Sequence, residues 1–329
     1  MILDGTTSQA IDAAVSALAA GDLIGLPTET VYGLAADACN PIAVARIFST
    51  KGRPADHPLI VHVADAQAID HFVPNVPAFA QRLIDHFWPG PLTVILPRRE
   101  GIAEAAAGGH PTIGLRCPSH PVAHELLRVA AGRGIRGLAA PSANRFGRVS
   151  PTSAAHVAGE FGDGLLILDG GPCTVGIEST IIDCTRGAPV VLRPGQLSRT
   201  EIERVAGTPI RSKEELDAPE PQAPGTLTAH YAPAARVRLM GAADLRAALE
   251  VLGADAPAIA IWSRTSLRAV SPRVIWRRMP GDATSAAQQL FSVLRSFDDQ
   301  GAALIWVEIP PDTPEWEGVR DRLARAAAS

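Results

Sequence analysis

The chain has 329 residues, 47% of them hydrophobic and 19% charged, with a formal net charge of −4. This composition excludes a disordered chain, and the length exceeds what one hydrophobic core usually organises, so two domains are the default. The slightly acidic balance, without runs of like charge, argues against tight nonspecific nucleic-acid binding but leaves room for a local basic cleft.

Apolar spacing predicts a first helix from Ser8 to Ala20, with Ile11, Val15 and Leu18 on one face. A short strand, Leu23 to Leu26, ends at Pro27. A helix over Ile42 to Ser49 leads into the loop that holds Lys51, and a strand runs from Leu59 to Val63. A helix from Val76 to Phe87 and a strand from Leu92 to Leu96 flank the Pro-Gly-Pro turn at 89–91. Thr112 to Arg116 reads as a strand, Pro121 to Ala131 as a helix, and Leu138 to Ala140 as a strand entering Pro141-Ser-Ala-Asn144. A helix from Ser153 to Phe161 precedes strands at Leu165–Asp169, Ser179–Asp183 and Val190–Arg193, and a helix begins at Thr200. Strands interleaved with helices in irregular order predict an α/β layer fold with a mixed sheet.

Residues 207–233 change character, and Ala218 to Gly225 is Pro-rich, which reads as a linker. Beyond it a second β/α series follows: strands at Val237–Met240, Ala258–Trp262, Val274–Trp276 and Leu304–Val307, and helices from Ala243 and Ser285. The expected division is therefore 1–206, a linker at 207–233, and a smaller α/β domain at 234–329. All nine histidines lie at or before His230, and neither tyrosine lies in the second domain. A regulatory or closing role suits that domain better than an active site of its own.

The four cysteines lie far apart, with neither Cys-x-x-Cys nor zinc spacing, which fits free thiols in a reducing compartment. The N-terminus does not read as a signal peptide, and no apolar run reaches the ~18 residues of a membrane span. The expectation is a cytoplasmic protein without membrane contact.

Several segments carry candidate chemistry. Only two of the 30 basic residues are lysines, Lys51 and Lys213, and Lys51 stands in a Lys-x-Arg pair with Arg53. A point charge beside a planar fork suits a polyphosphate, although a solvated loop end reads the same way. Thr28-Glu29-Thr30 follows a strand and offers hydroxyls to a ligand, or caps a turn. His57 and His62 flank a strand without the third ligand a metal needs, so hydrogen bonding is the better reading. Alternation puts Thr112, Gly114 and Arg116 on one strand face, where an inward Arg needs an anion. A substrate carboxylate and a structural salt bridge both serve. Ser142 lacks a nucleophile elbow and reads as a binding hydroxyl. Glu178 is a possible base that the sequence pairs with no acceptor. Arg193 ends a strand with another cation. Together these residues gather at strand ends, where open α/β sheets bind ligands.

In this order, Pro27-Thr-Glu-Thr-Val-Tyr-Gly-Leu34, Lys51-Gly-Arg-Pro, His57-Pro-Leu-Ile-Val-His62, Pro89-Gly-Pro-Leu-Thr93, Arg116-Cys-Pro, Ala140-Pro-Ser-Ala-Asn144, Ser150-Pro-Thr152, Gly176-Ile-Glu-Ser-Thr180 and Leu192-Arg-Pro-Gly195 strongly resemble the YrdC-like L-threonylcarbamoyladenylate synthases. The resemblance covers roughly residues 8–206. Pro224 to Pro233 looks like the linker of the family's two-domain form, whose second domain is a smaller Rossmann-like α/β unit.

The resemblance implies that L-threonine, bicarbonate and ATP, the last with Mg²⁺, give threonylcarbamoyl-AMP and pyrophosphate. A tRNA threonylcarbamoyl-transferase would use the product, with tRNA contact by this chain weak or indirect. It assigns Thr30, His62, Arg116, Ala140 and Ser179 to L-threonine. It assigns Arg53, His57, Thr112, Ser142, Asn144, Ser150, Arg193 and Tyr231 to ATP, with Lys51 along the phosphates and Tyr231 as a lid. Lys51 and Arg53 would carry the catalytic charge stabilisation. No protein metal site is expected. Arg145-Phe146, after the Ser-Ala-Asn motif, departs from the smaller residues many relatives place there. Competing readings are a Mg²⁺-dependent sugar-phosphate lyase, a hydrogenase-maturation carbamoyl transferase, and an RNA-binding module with a basic concave face. The first lacks its acidic cluster here, the second its zinc-finger cysteines, and the third a basic overall charge.

Overall fold

A computed structural model of the chain describes residues 1–211, 215, 222–252, 258–265 and 274–329. Lys213 and residues 218–221 of the Pro-rich stretch lie outside the described residues. The chain divides into two compact units, Met1–Phe146 with Ser150–Thr226, and Gly147–Val149 with Leu227–Ser329.

The first unit is built on ten strands: β1 (Ile2–Asp4), β2 (Ile24–Leu26), β3 (Gly33–Asp37), β4 (Ile60–His62), β5 (Leu92–Pro97), β6 (Thr112–Arg116), β7 (Leu138–Ala139), β8 (Leu166–Asp169), β9 (Thr180–Asp183) and β10 (Val190–Arg193). They form one mixed sheet in the order β1-β8-β2-β3-β7-β4-β6-β5-β9-β10. Seven helices accompany it: α1 (Ser8–Ala19), α2 (Pro41–Lys51), α3 (Ile69–Phe72), α4 (Ala78–Phe87), α5 (Pro121–Gly132), α6 (Ala154–Phe161) and α7 (Arg199–Ala206). β1, β3 and the one-turn α3 are additions to the elements read from periodicity. All are short, and β3 is apolar throughout its buried length, so neither alternation nor helical spacing marks it.

Two apolar layers hold this unit. α1 and α5 pack Ile11, Val15, Leu18, Leu126 and Leu127 against Ile24, Leu26 and Leu138. A larger cluster joins α2 and α4 to Val61, Val94, Leu115 and Ile182 of the central strands. Register then decides what the opposite face of those strands shows. His62 lies beside Arg116, Ile60 beside Gly114, and Thr93 beside Ile181. A register shift between Val191 and Arg193 sets Arg193 opposite Ile181 on that face. One face is thus continuous core, and the other is a strip of polar and small residues with the small apolar cluster Ile60, Ile95, Ile181, Val190 and Leu192.

The second unit has four parallel strands, β11 (Arg236–Met240), β12 (Ile259–Ser263), β13 (Val274–Arg278) and β14 (Leu304–Glu308), in the order β11-β14-β12-β13. Helices α8 (Ala242–Val251), α9 (Ala283–Asp299) and α10 (Glu317–Ala327) accompany them. Leu245 and Leu249 of α8 pack on Ile259, Ile261 and Trp306. The two central strands, β12 and β14, are buried along nearly their whole length, as parallel strands covered by helical crossovers are, whereas β11 and β13 at the edges are partly exposed. All four cysteines are free thiols. Among the described residues no helix is long and apolar enough to cross a membrane.

Candidate active site

The polar strip has two centres. The first is built around Arg116, which ends β6 with 4% of its surface exposed. Its Nη1 donates to Thr30 Oγ1 at 2.7 Å and its Nε to Gly90 O at 3.3 Å. Its Nη2 lies 2.7 Å from Glu29 Oε1. The anion expected on sequence grounds is therefore supplied by the chain itself, from the turn after β2.

That turn is held by Thr28. Its hydroxyl donates to Val31 O at 2.6 Å and accepts from Thr30 N and Val31 N at 3.3 and 3.2 Å. Its hydroxyl oxygen also lies 2.9 Å from Thr30 Oγ1. Thr28 is thus a turn brace, as the capping alternative had it, whereas Thr30 faces Arg116. Burial alone raises the Glu29 carboxyl, but Arg116, with backbone N–H groups of Glu29 and Ser119, more than offsets it and holds the group below its ordinary value. His62 is 3% exposed, and burial, then Arg116, pulls its imidazole down to about 3, so it is neutral near pH 7. Further along the strip, Ser179 Oγ lies 2.7 Å from Thr93 Oγ1 and accepts from Arg193 Nη2 at 3.2 Å. Arg193 also donates to Ser179 O and, through Nη1, to Pro224 O at 2.9 Å. Gly195 is required beside it: a Cβ there would meet Thr180 N at 2.5 Å and Glu178 O at 2.9 Å. Ala140 is buried and joins the strip through its N–H on Ile60 O.

The second centre is built around Lys51. It is no solvated loop end, because α2 continues to it and ends on Gly52, whose left-handed φ of 65° suits the C-cap. Its side chain is buried, and Nζ donates to the carbonyls of Ser142, at 2.6 Å, and of Asn144. Burial, then Arg53, pulls the ammonium down to about 7, against the pull of Glu160 and Glu178. The mobile point charge anticipated from the Lys-x-Arg pair is instead clamped to the Ser-Ala-Asn loop. Ser150 Oγ donates to Glu178 Oε1 at 2.5 Å, so the carboxylate that had no acceptor in sequence has a hydroxyl partner in space. Arg53 is half-buried, donates to Pro58 O at 2.9 Å, and stands 5.9 Å from the Phe146 ring, which also lies 5.7 Å from His57. The departure at Phe146 thus lands on two expected nucleotide contacts. Thr112, half-exposed, helps line a cavity of ≈ 10 Å³ with Ile60, Thr93, Gly114, Gln222 and Pro224, about what one water needs.

Tyr231 belongs to the second unit. Its φ is 64°, its side chain is 1% exposed, and its ring meets His230 edge-on at 4.2 Å and Phe291 in a tilted contact at 5.3 Å, with Arg322 5.4 Å from the ring centre. Two members of the strip, Glu29 and Thr93, were not assigned from sequence. Thr93 had a visible signal, being the polar residue in Leu92-Thr-Val-Ile-Leu96. Glu29 had none, since its partner is far away in the chain.

Comparison with known proteins agrees with this architecture. Residues 16–195 match the Sua5_yciO_yrdC family model, described as telomere recombination, and residues 197–328 match Sua5_C, described as threonylcarbamoyl-AMP synthase, C-terminal domain. A threonylcarbamoyl-AMP synthase of Pyrococcus abyssi is 46% identical over 222 residues, 66% of this chain and 64% of the relative. One of Bacillus subtilis is 36% identical over 338 residues, 98% of this chain and 94% of the relative. The crystal structure of P. abyssi Sua5 complexed with L-threonine superposes with a TM-score of 0.87 at 36% identity, covering 96% of this chain and 94% of that one. With a family model over more than half of its length and a full-length relative at this identity, the chain belongs to the Sua5/YciO/YrdC family of enzymes, in the form named threonylcarbamoyl-AMP synthase.

Proposed function

We propose that this chain condenses L-threonine, bicarbonate and ATP to threonylcarbamoyl-AMP and pyrophosphate, and passes the product to a tRNA threonylcarbamoyl-transferase. The observation that carries the reading is the polar strip. A buried guanidinium, a neutral imidazole and the hydroxyls of Thr30, Thr93 and Ser179 form one group, and a buried lysine held by the Ser-Ala-Asn loop forms the other. The first group suits a small hydroxy amino acid, with Arg116 on the carboxylate and Thr30, His62, Ala140 and Ser179 around the rest. The second suits a nucleotide, with Lys51, Arg53, His57, Thr112, Ser142, Asn144, Ser150 and Arg193 as its contacts.

The threonine ammonium gives up a proton, and the free amine takes up bicarbonate to give a carbamate and water. A carbamate oxygen then attacks the α-phosphorus in line, and the bond to the β-phosphate oxygen breaks. The protein's part is positioning and charge neutralisation by Lys51 and Arg53. Among the described residues no group of three or more His, Cys, Asp or Glu is placed to hold a metal. Mg²⁺ brought with ATP would supply further charge neutralisation at the phosphates. Thr112, Gly114, Gln222 and Pro224 line a cavity of ≈ 10 Å³, too small for a base or ribose. Tyr231 acts as a lid in this scheme only on leaving its packing in the second unit. The RNA-binding alternative gains nothing from the strip, whose cations Lys51, Arg116 and Arg193 are buried on internal acceptors.

Pyrophosphate release from ATP, measured with and without L-threonine and bicarbonate, tests the proposal. Release that requires both, and falls sharply with serine, supports it. Threonine-independent release overturns it.

A further inference from the structure

Glu29 is the residue of the strip that the reaction scheme leaves without work. It is 4% exposed, a buried carboxylate inside an α/β sheet, and that is a costly arrangement unless every lone pair is used. Arg116 and the backbone N–H groups of Glu29 and Ser119 act on this carboxylate. Glu29 touches Arg116 Nη2 at 2.7 Å, yet none of these approaches is a well-aligned hydrogen bond to either oxygen, and that Nη2 has none. Nδ1 of His62 is likewise buried without a partner, and Arg116 and Glu29 are the two charges that act on it.

The Glu29 side chain is also no brace for its own turn. The turn is held by Thr28 and by the Glu29 carbonyl, which accepts from Val175 N at 2.7 Å. A buried ion pair that exists for stability looks different in this same protein. Glu308 accepts aligned bonds from Arg264 Nη2 at 2.9 Å and from Thr265 N at 2.8 Å, one on each oxygen.

Resting on the threonine reading above, we propose that Glu29 is the binding residue for the substrate's ammonium, so that Glu29 and Arg116 form a clamp for an α-amino acid zwitterion. The physical argument is charge balance. The empty pair is neutral, and so is the incoming zwitterion. Its carboxylate takes the unaligned Nη2 of Arg116, and its ammonium takes the unaligned oxygens of Glu29. Four alternating charges then replace two poorly bonded ones, at no net change in buried charge. Arg116 keeps its bonds to Thr30 and Gly90 throughout, so it need not move to receive the carboxylate. The clamp selects for an amine as well as a carboxylate, and it holds the nitrogen that must be carbamoylated at a fixed place on the strip.

The test compares L-threonine with the hydroxy acid in which a hydroxyl replaces its amine, by titration calorimetry on the full chain. The wild-type protein should prefer threonine by at least about thirtyfold, the size expected for one buried charge contact. Glu29→Gln should lose that preference to within about threefold and raise KM for threonine while leaving KM for ATP unchanged. Glu29→Asp, which keeps the charge, should retain part of it, a split that a purely structural role would not produce. A wild-type protein that binds both acids alike overturns the proposal, even should Glu29→Gln fail to fold. So does a folded Glu29→Gln that keeps the full preference. A wild-type protein that binds no threonine overturns the synthase reading, and the clamp with it.

Discussion

Each unit holds a buried carboxylate facing an arginine, and the two are solved differently. Glu308, at the end of β14, has both oxygens satisfied, and its partner Arg264 keeps 30% of its side chain in solvent. Glu29, in the first unit, has a shorter contact to an arginine only 4% exposed, and no aligned bond at either oxygen. The same residue pair can therefore close a structure or hold a place open, and hydrogen-bond alignment, rather than distance, separates the two. Lys51 adds a third solution: a buried cation held by carbonyls alone, whose charge is correspondingly easy to remove.

The largest effect should come from breaking the first-unit pair. Arg116→Met leaves Glu29 buried and unpaired and should lower the unfolding free energy by roughly 3–5 kcal/mol in urea titration. Adding Glu29→Gln should recover most of that loss. An unchanged urea midpoint in the single variant would mean that water reaches Glu29.

Lys51 should show as a pH slope. Its folded pKa, about 7, is below the ordinary 10.5, so between those values the unfolded chain binds more protons than the folded one. Stability should therefore rise with pH through that window, by up to about 2 to 3 kcal/mol from pH 7 to 9. Above pH 9 the comparison blurs, because burial raises the Cys117, Cys173 and Cys184 thiols and gives them the opposite slope. Lys51→Met should flatten the rise, and an identical pH profile in the variant would remove Lys51 as its source.

Arg264→Met should cost less, about 2 kcal/mol, since Glu308 keeps its bond from Thr265 N. Threonine-dependent pyrophosphate release should survive it, and its loss would give the second-unit pair a role beyond structure. The smallest effect is local. Asn40 accepts from Ile42 N and Ala43 N at the start of α2, so Asn40→Ala should lower stability by about 1 kcal/mol in thermal unfolding.

Much of the fold was legible because its signals are local. Alternation marked β6 and the face shared by Thr112, Gly114 and Arg116, and helical spacing marked α1, α2 and α5. Motif order carried the family. What was read least well is also explained by range. Lys51 looked like a loop residue because its helix ends on a Gly that the sequence shows, while its acceptors lie more than ninety positions on. Glu178 looked partnerless for the same reason, because Ser150 lies 28 positions away in the chain.

Composition and periodicity by themselves determined an α/β chain of two parts, and the ordered motifs added the class of chemistry through their resemblance to a known family. Those properties are written in neighbouring residues and need no knowledge of who meets whom. Only the tertiary structure decided that the anion for Arg116 is Glu29, that Lys51 clamps the Ser-Ala-Asn loop, and that residues 147–149 go with the second unit. Those outcomes depend on strand order and register, which bring distant residues to one face and which no local propensity encodes.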